Sequence, residues 1–248
     1  MSSSNAPKFT TQKTAFYILL TYIFVFQLSG IILRIPAISD FVLGLVDAPA
    51  DQKGSIITSW WTFVTGILSL IIIFALVMRH KGFFNVYKGQ KATIPQAIGW
   101  GVIGFFLIFF GQSLGAYIEM AIGIDPGSDN TQVFMEIAKV APVMILVIAV
   151  IGPILEELVF RRVIFGSLIQ VQSFWLSAII SGVIFAAIHF DFEHILLYTI
   201  CGLIFAFLYH KTKRIITSII SHILLNSFVI LVQLNTENLQ QYLDSLPK

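Results

Sequence analysis

Long apolar runs, separated by short polar clusters, occupy most of the chain. A helix needs about 20 apolar residues, each rising about 1.5 Å, to cross the hydrocarbon of a bilayer. Seven runs meet or approach that length: 15–35, 55–78, 97–121, 140–169, 174–190, 194–210 and 215–234. The fifth and sixth are short and nearly adjoin, which suits a hairpin within the protein interior. The fourth is long enough to tilt. The pattern predicts an all-α fold, a polytopic transmembrane helix bundle of about seven spans. Residues 36–54 and 124–138 are the longer connections on one side, and 79–96 form a basic loop on the other. The tail 235–248 contains Asn, Gln and Glu and is not expected to form an eighth span. The run 15–35 follows Lys8 and Lys13, as a signal peptide would. Arg34 and Pro36 follow it rather than a small-residue cleavage site, so it is read as a retained span.

Composition agrees with the pattern. The chain is 57% hydrophobic and 11% charged, with a mean hydropathy of +0.88, whereas soluble domains are about 25% charged. So much apolar surface needs lipid as its solvent. The net charge of +2 says little, but its distribution orients the chain. With the N-terminus inside, all of the 15 Lys and Arg except Arg34, Lys53, Lys139 and Lys248 fall on the inner side. The acids Asp40, Asp47, Asp51, Asp125, Asp129, Glu136, Asp191 and Glu193 fall outside. Positive residues accumulate on the cytoplasmic side, so the N-terminus is cytoplasmic and the C-terminus outside. The basic loop either only sets this topology or also meets anionic headgroups. The lipid bilayer is the expected partner, and nucleic acid is not. The lone cysteine, Cys201, excludes an intrachain disulfide and a cysteine-rich zinc site.

Charges inside a span are costly unless paired or wetted. The fourth run nevertheless carries Glu156, Glu157 and Arg161. Glu157 and Arg161 are four apart, on one helix face, and can form an ion pair. Glu156 is rotated about 100° from Glu157 and is free to meet a different partner. The fifth run ends in His189, and the seventh holds His222 and Asn226, again four apart. A turn near Gln172 would bring Glu156 and His189 to one depth. By helix rise His222 lies about 12 Å from the inner end of its span and Glu156 about 24 Å from its turn, so spacing alone leaves their meeting open. Each motif has a plain alternative: a structural ion pair, an interfacial histidine, or interhelical hydrogen bonds.

Together these groups permit hydrolysis. A carboxylate and an imidazole sharing a water make a nucleophile, and a second histidine with an amide can stabilise an oxyanion. The same Glu156, His189 and His222 could instead bind zinc with a water in the fourth position; the metal-free reading is preferred.

In this order, Glu156-Glu157 with Arg161, Phe185 with His189, and His222 with Asn226 resemble the motifs of the CPBP family of intramembrane proteases. That family includes the CAAX prenyl endopeptidases and bacteriocin-immunity (Abi) proteins. The resemblance covers residues 156–226. It implies that Glu156 activates water with His189, that His222 and Asn226 stabilise the oxyanion, and that Glu157 and Arg161 support the site. It also implies a site opening mainly to the cytoplasm, and it keeps zinc as the alternative cofactor. The expectation is a single integral-membrane domain, 1–248, with its catalytic core at about 140–234. It would be a multi-pass protein of a bacterial plasma membrane that cleaves a membrane-associated protein or peptide. The competing reading is a non-catalytic immunity or scaffold protein of the same fold. A proton pathway is disfavoured, since no inverted repeat is visible.

Overall fold

The computed structural model describes residues 8–80 and 82–236. Among them there is no strand, and six helices are long and apolar enough to cross a membrane. The first span begins as α1 (Lys8–Leu20) and continues through a π-helical stretch, Thr21–Gln27, and a 3₁₀ turn, Ser29–Arg34. Helix α2 (Pro36–Leu45) follows outside the span, with Pro36 in its first turn where no amide donor is needed. Helix α3 (Ala50–Met78) returns inward, and the loop 79–93 leads to α4 (Ile94–Ala121). Thr93 and Gln96 form a reciprocal capping box at the start of α4, satisfying two otherwise orphan amides. The short outer helix α5 (Asp129–Val140) precedes α6 (Val143–Leu168). Helices α7 (Phe174–Ala187), α8 (Ile195–Thr212) and α9 (Ile215–Leu234) complete the bundle. The expected outer connections thus contain helices of their own. Residues 237–248, where no eighth span was expected, lie outside the described residues.

The acid-bearing helix is at the centre. More than half of α6 is buried, 56% over its most apolar stretch, against 39% or less for the other spans. Two π-helical stretches interrupt it, Val147–Ile151 and Glu157–Phe165. A π turn holds more residues than an α turn, so α6 advances less per residue than a regular helix. Such stretches tend to occur at functional sites.

The fifth run is shorter than expected. Helix α7 has 14 residues, about 21 Å at α-helical rise, short of the hydrocarbon thickness. It stops because Phe190 adopts a left-handed conformation, φ 54°. Helix α7 packs closely on α8 where two glycines meet. A Cβ at Gly202 would lie 2.6 Å from the Gly182 Cα, so the backbones touch. Helices α4 and α9 run parallel from the inner side, joined by the Ser221 hydroxyl, which donates to the Gly101 carbonyl at 2.7 Å. Small residues at such seams let helices associate where no hydrophobic drive exists between them.

Candidate active site

Adjacent acids on α6 face one imidazole on α9. His222 Nδ1 donates to Glu157 Oε1 at 3.1 Å, and its Nε2 lies 3.6 Å from Glu156 Oε2. Glu156 thus meets a partner other than Arg161, and that partner, His222, is shared with Glu157. Glu156 and His222 meet, at 3.6 Å, and the π-helical stretch of α6 below Glu156, being axially compressed, closes only part of the expected gap.

Glu157 is fully buried and is also 3.3 Å from Arg161 Nε. Arg161 Nη1 donates to Ser181 Oγ at 3.3 Å, and the guanidinium lies over the rings of Phe185 and Phe205, 4.7 and 5.2 Å from their centroids. Its Nη2 has no partner. Thus Glu157 pairs with the buried Arg161 and holds the His222 ring at once.

Glu156 is different. Its side chain is 15% exposed and lines a cavity of about 750 Å³ together with His189, His222 and Asn226. That volume lies within the range of small-molecule and peptide sites. His189 Nδ1 donates to the Phe185 carbonyl at 2.8 Å. This fixes the tautomer and leaves Nε2 with a lone pair to orient water. The Asn226 amide donates to the Ile148 carbonyl, in the first π stretch of α6, at 2.9 Å. An amide nitrogen has two hydrogens, so one remains available.

Further residues shape the site; of these, Tyr198 and Ser128 were not foreseen. Tyr198 stacks on His189 with ring centroids 4.1 Å apart and planes inclined by 25°. Its hydroxyl is 3.0 Å from Ser128 Oγ, which donates to Asp191 Oδ2 at 2.6 Å. Nothing in the sequence marks Tyr198, an aromatic in an apolar run; Asp191, two residues beyond His189, is the one visible cue. Gln27 lines the cavity and donates to the Tyr22 hydroxyl at 2.7 Å. At the mouth, Glu119 accepts from His194 Nδ1 at 2.8 Å and from the Leu197 amide at 3.3 Å, tying α4 to the start of α8. The hydrogen bond to Glu119 raises the His194 pKa above the usual histidine value, outweighing the opposing effect of burial.

The cavity runs to the outer ends of the helices, where Gly30, Arg34, Thr58, Asn130 and Phe190 line it. By the charge asymmetry this is the extracytoplasmic side. The resemblance implied a cytoplasmic opening, whereas the lining residues reach the helix ends opposite the basic loop 79–93. Between the cavity and the inner loop lie Phe165, Ala178, Ala206 and Tyr209, packed together and buried.

The zinc alternative requires three donors around one point. Among the described residues no group of three His, Cys, Asp or Glu side chains is arranged to hold a metal ion. Nδ1 of His222 is already bound to Glu157, and its Nε2 faces Glu156. Glu156 Oε2 and His222 Nε2 face each other at 3.6 Å, and His189 lines the same cavity.

Comparison with known proteins agrees with the motifs. The family profile described as type II CAAX prenyl endopeptidase Rce1-like matches residues 138–228. YdiL of Bacillus subtilis, named as a candidate membrane peptidase, is 37% identical over 235 residues, covering 94% of this chain and 93% of its own. The membrane-embedded CAAX protease MroQ of Staphylococcus aureus is 38% identical over 202 residues, covering 77% and 82%. The UPF0177 protein YvdC of Lactococcus lactis is 28% identical over 173 residues, covering 66% of each chain. No solved structure matches significantly.

Proposed function

Since the chain belongs to the Rce1-like CAAX protease family and is a multi-pass intramembrane endopeptidase, we propose that Glu156 and His189 activate the hydrolytic water without a metal. The observation that carries this reading is the convergence of Glu156, His189, His222 and Asn226, from α6, the end of α7 and α9, on one cavity. Water held by His189 Nε2 gives a proton to Glu156 as its oxygen attacks the peptide carbonyl carbon. A protonated Nε2 of His222 and the remaining Asn226 N–H stabilise the oxyanion. As the tetrahedral intermediate collapses, Glu156 returns the proton to the leaving nitrogen and the C–N bond breaks. Glu157 and Arg161 hold His222 from behind and touch no substrate.

The substrate in this reading is a membrane-associated protein or peptide that reaches the cavity from the outer face of a bacterial plasma membrane. The exposed Phe190 and the first-span residues at the mouth supply an apolar approach, and the catalytic core spans about 140–234.

The test uses purified protein in liposomes, challenged with membrane-anchored peptides and read by mass spectrometry of the products. Glu156→Gln and His189→Asn should each abolish cleavage while remaining folded, and a zinc chelator should leave the wild-type rate unchanged. Cleavage by Glu156→Gln at the wild-type rate would refute the assignment. Loss of activity to the chelator, restored by zinc, would refute the metal-free step.

A further inference from the structure

Away from the catalytic cavity, a groove of about 490 Å³ opens at the inner end of the bundle, between the N-termini of α4 and α9. Its polar rim is Lys91, Lys213 and Arg214, and its wall is largely isoleucine, including Ile98 and Ile216. Both of these isoleucines are exposed, so the wall faces the bilayer rather than the protein core. The rim cations contact only neutral acceptors: Lys91 Nζ reaches Asn85 Oδ1 at 3.1 Å, Lys213 Nζ the Lys88 carbonyl at 2.8 Å, and Arg214 Nε the Ala92 carbonyl.

Among the described residues no carboxylate is placed to neutralise them. The described inner-side residues, 8–14, 79–80, 82–93, 169–173 and 211–214, contain no Asp or Glu. Two further observations point to an anion. Arg214 stands at the N-cap of the 20-residue α9 and provides no side-chain cap; the Thr217 amide is bonded to the Arg214 carbonyl, and Ile215 and Ile216, the first two residues of the helix, line the groove, where the positive end of the helix dipole favours an anion. Tyr209 lines the groove and is 1% exposed, and its buried hydroxyl has no hydrogen-bond partner.

We propose that this groove binds one anionic phospholipid of the inner leaflet. Its phosphate would sit among Lys91, Lys213, Arg214 and the α9 N-terminus, and an acyl chain would lie along the isoleucine wall. Cationic rim, helix N-terminus and apolar wall together match an amphiphile with a negative head. A soluble phosphate would use only the rim, and an apolar protein segment only the wall.

Purified, delipidated protein in neutral detergent is titrated with fluorescent phosphatidylglycerol or phosphatidylcholine, and bound lipid is counted by native mass spectrometry. One phosphatidylglycerol should bind saturably, roughly 10- to 100-fold tighter than phosphatidylcholine, given the attraction of each Lys or Arg to anionic lipid. The preference should shrink as salt is added. Lys91→Gln combined with Arg214→Gln should remove the preference. Ile98→Trp combined with Ile216→Trp leaves every charge in place but fills the groove, and it should also prevent retention. Equal binding of the two lipids, or many weakly held copies without saturation, would overturn the proposal. So would either double variant behaving as wild type. Displacement by glycerol phosphate at the concentration at which the lipid itself competes would make the rim a soluble-anion site and overturn the lipid assignment. Should a variant unfold, the salt dependence and the glycerol phosphate competition on wild-type protein still decide.

Discussion

Replacing Glu157 with glutamine changes one atom's chemistry and almost no volume, yet it should unfold the protein more readily than any change at Glu156. Glu157 is fully buried and serves two partners, Arg161 at 3.3 Å and His222 at 3.1 Å. Without its charge, the Arg161 guanidinium keeps only Ser181 and two aromatic faces, and its Nη2 already lacks a partner. Removing one member of a buried ion pair costs about 3–5 kcal/mol, because the remaining charge is left uncompensated. For a chain of this size that corresponds to a fall in Tm of roughly 6–20 °C. Glu156 is partly exposed and makes one contact at 3.6 Å, within its cavity. Glu156→Gln should therefore cost about 1 kcal/mol or less in stability while lowering turnover by about 10²- to 10⁴-fold. Cys201 supplies the assay: it is the sole cysteine and is 2% exposed, so a thiol-reactive dye reads unfolding on heating. Equal Tm values for Glu157→Gln and wild type, or a larger loss in Glu156→Gln, would refute this division of labour.

Other outcomes follow from the same geometry. The raised His194 pKa means that its pairing with Glu119 stabilises the fold fully below the unfolded histidine value of about 6.5 and loses that contribution as pH rises through the raised value. The excess Tm of wild type over His194→Gln should accordingly shrink between mildly acidic and alkaline buffers, and an excess that grows with pH would contradict it. Gly202→Val puts a branched side chain where even a Cβ would stand 2.6 Å from the Gly182 Cα. Parting α7 from α8 should cost about 1–3 kcal/mol and also reduce turnover, since His189 follows α7; unchanged values of both would show that the seam has slack. A cysteine at Asn130 should react with an impermeant maleimide in intact cells and one at Lys88 only after permeabilisation, Cys201 being shielded. The reverse pattern would invert the topology and with it the outward-facing cavity.

The spans were legible because a bilayer demands a fixed length of apolar sequence, and 55–78 and 215–234 correspond closely to α3 and α9. Glu157 with Arg161 was legible because four-residue spacing on a helix is a local property. Less local facts were hidden. That Glu157 also holds His222 depends on how two distant helices are rotated against each other. The depth of Glu156 depends in part on π-helical turns within α6 that no residue pattern announces. The stack of Tyr198 on His189 requires the close α7–α8 contact at Gly182 and Gly202, and neither glycine reveals its partner in isolation. Which end of the bundle is packed shut was hidden too, because resemblance carries chemistry from one protein to another but not the packing of Phe165, Ala178, Ala206 and Tyr209.

That plug has a bearing on the cell itself. A water-filled recess sunk into the bilayer removes part of the insulation that sustains an electrochemical gradient. The tight layer of Phe165, Ala178, Ala206 and Tyr209 beneath it keeps the low-dielectric barrier continuous. Among the described residues this layer is buried, so a recess open at one end lets peptide bonds be broken at depth without short-circuiting the membrane.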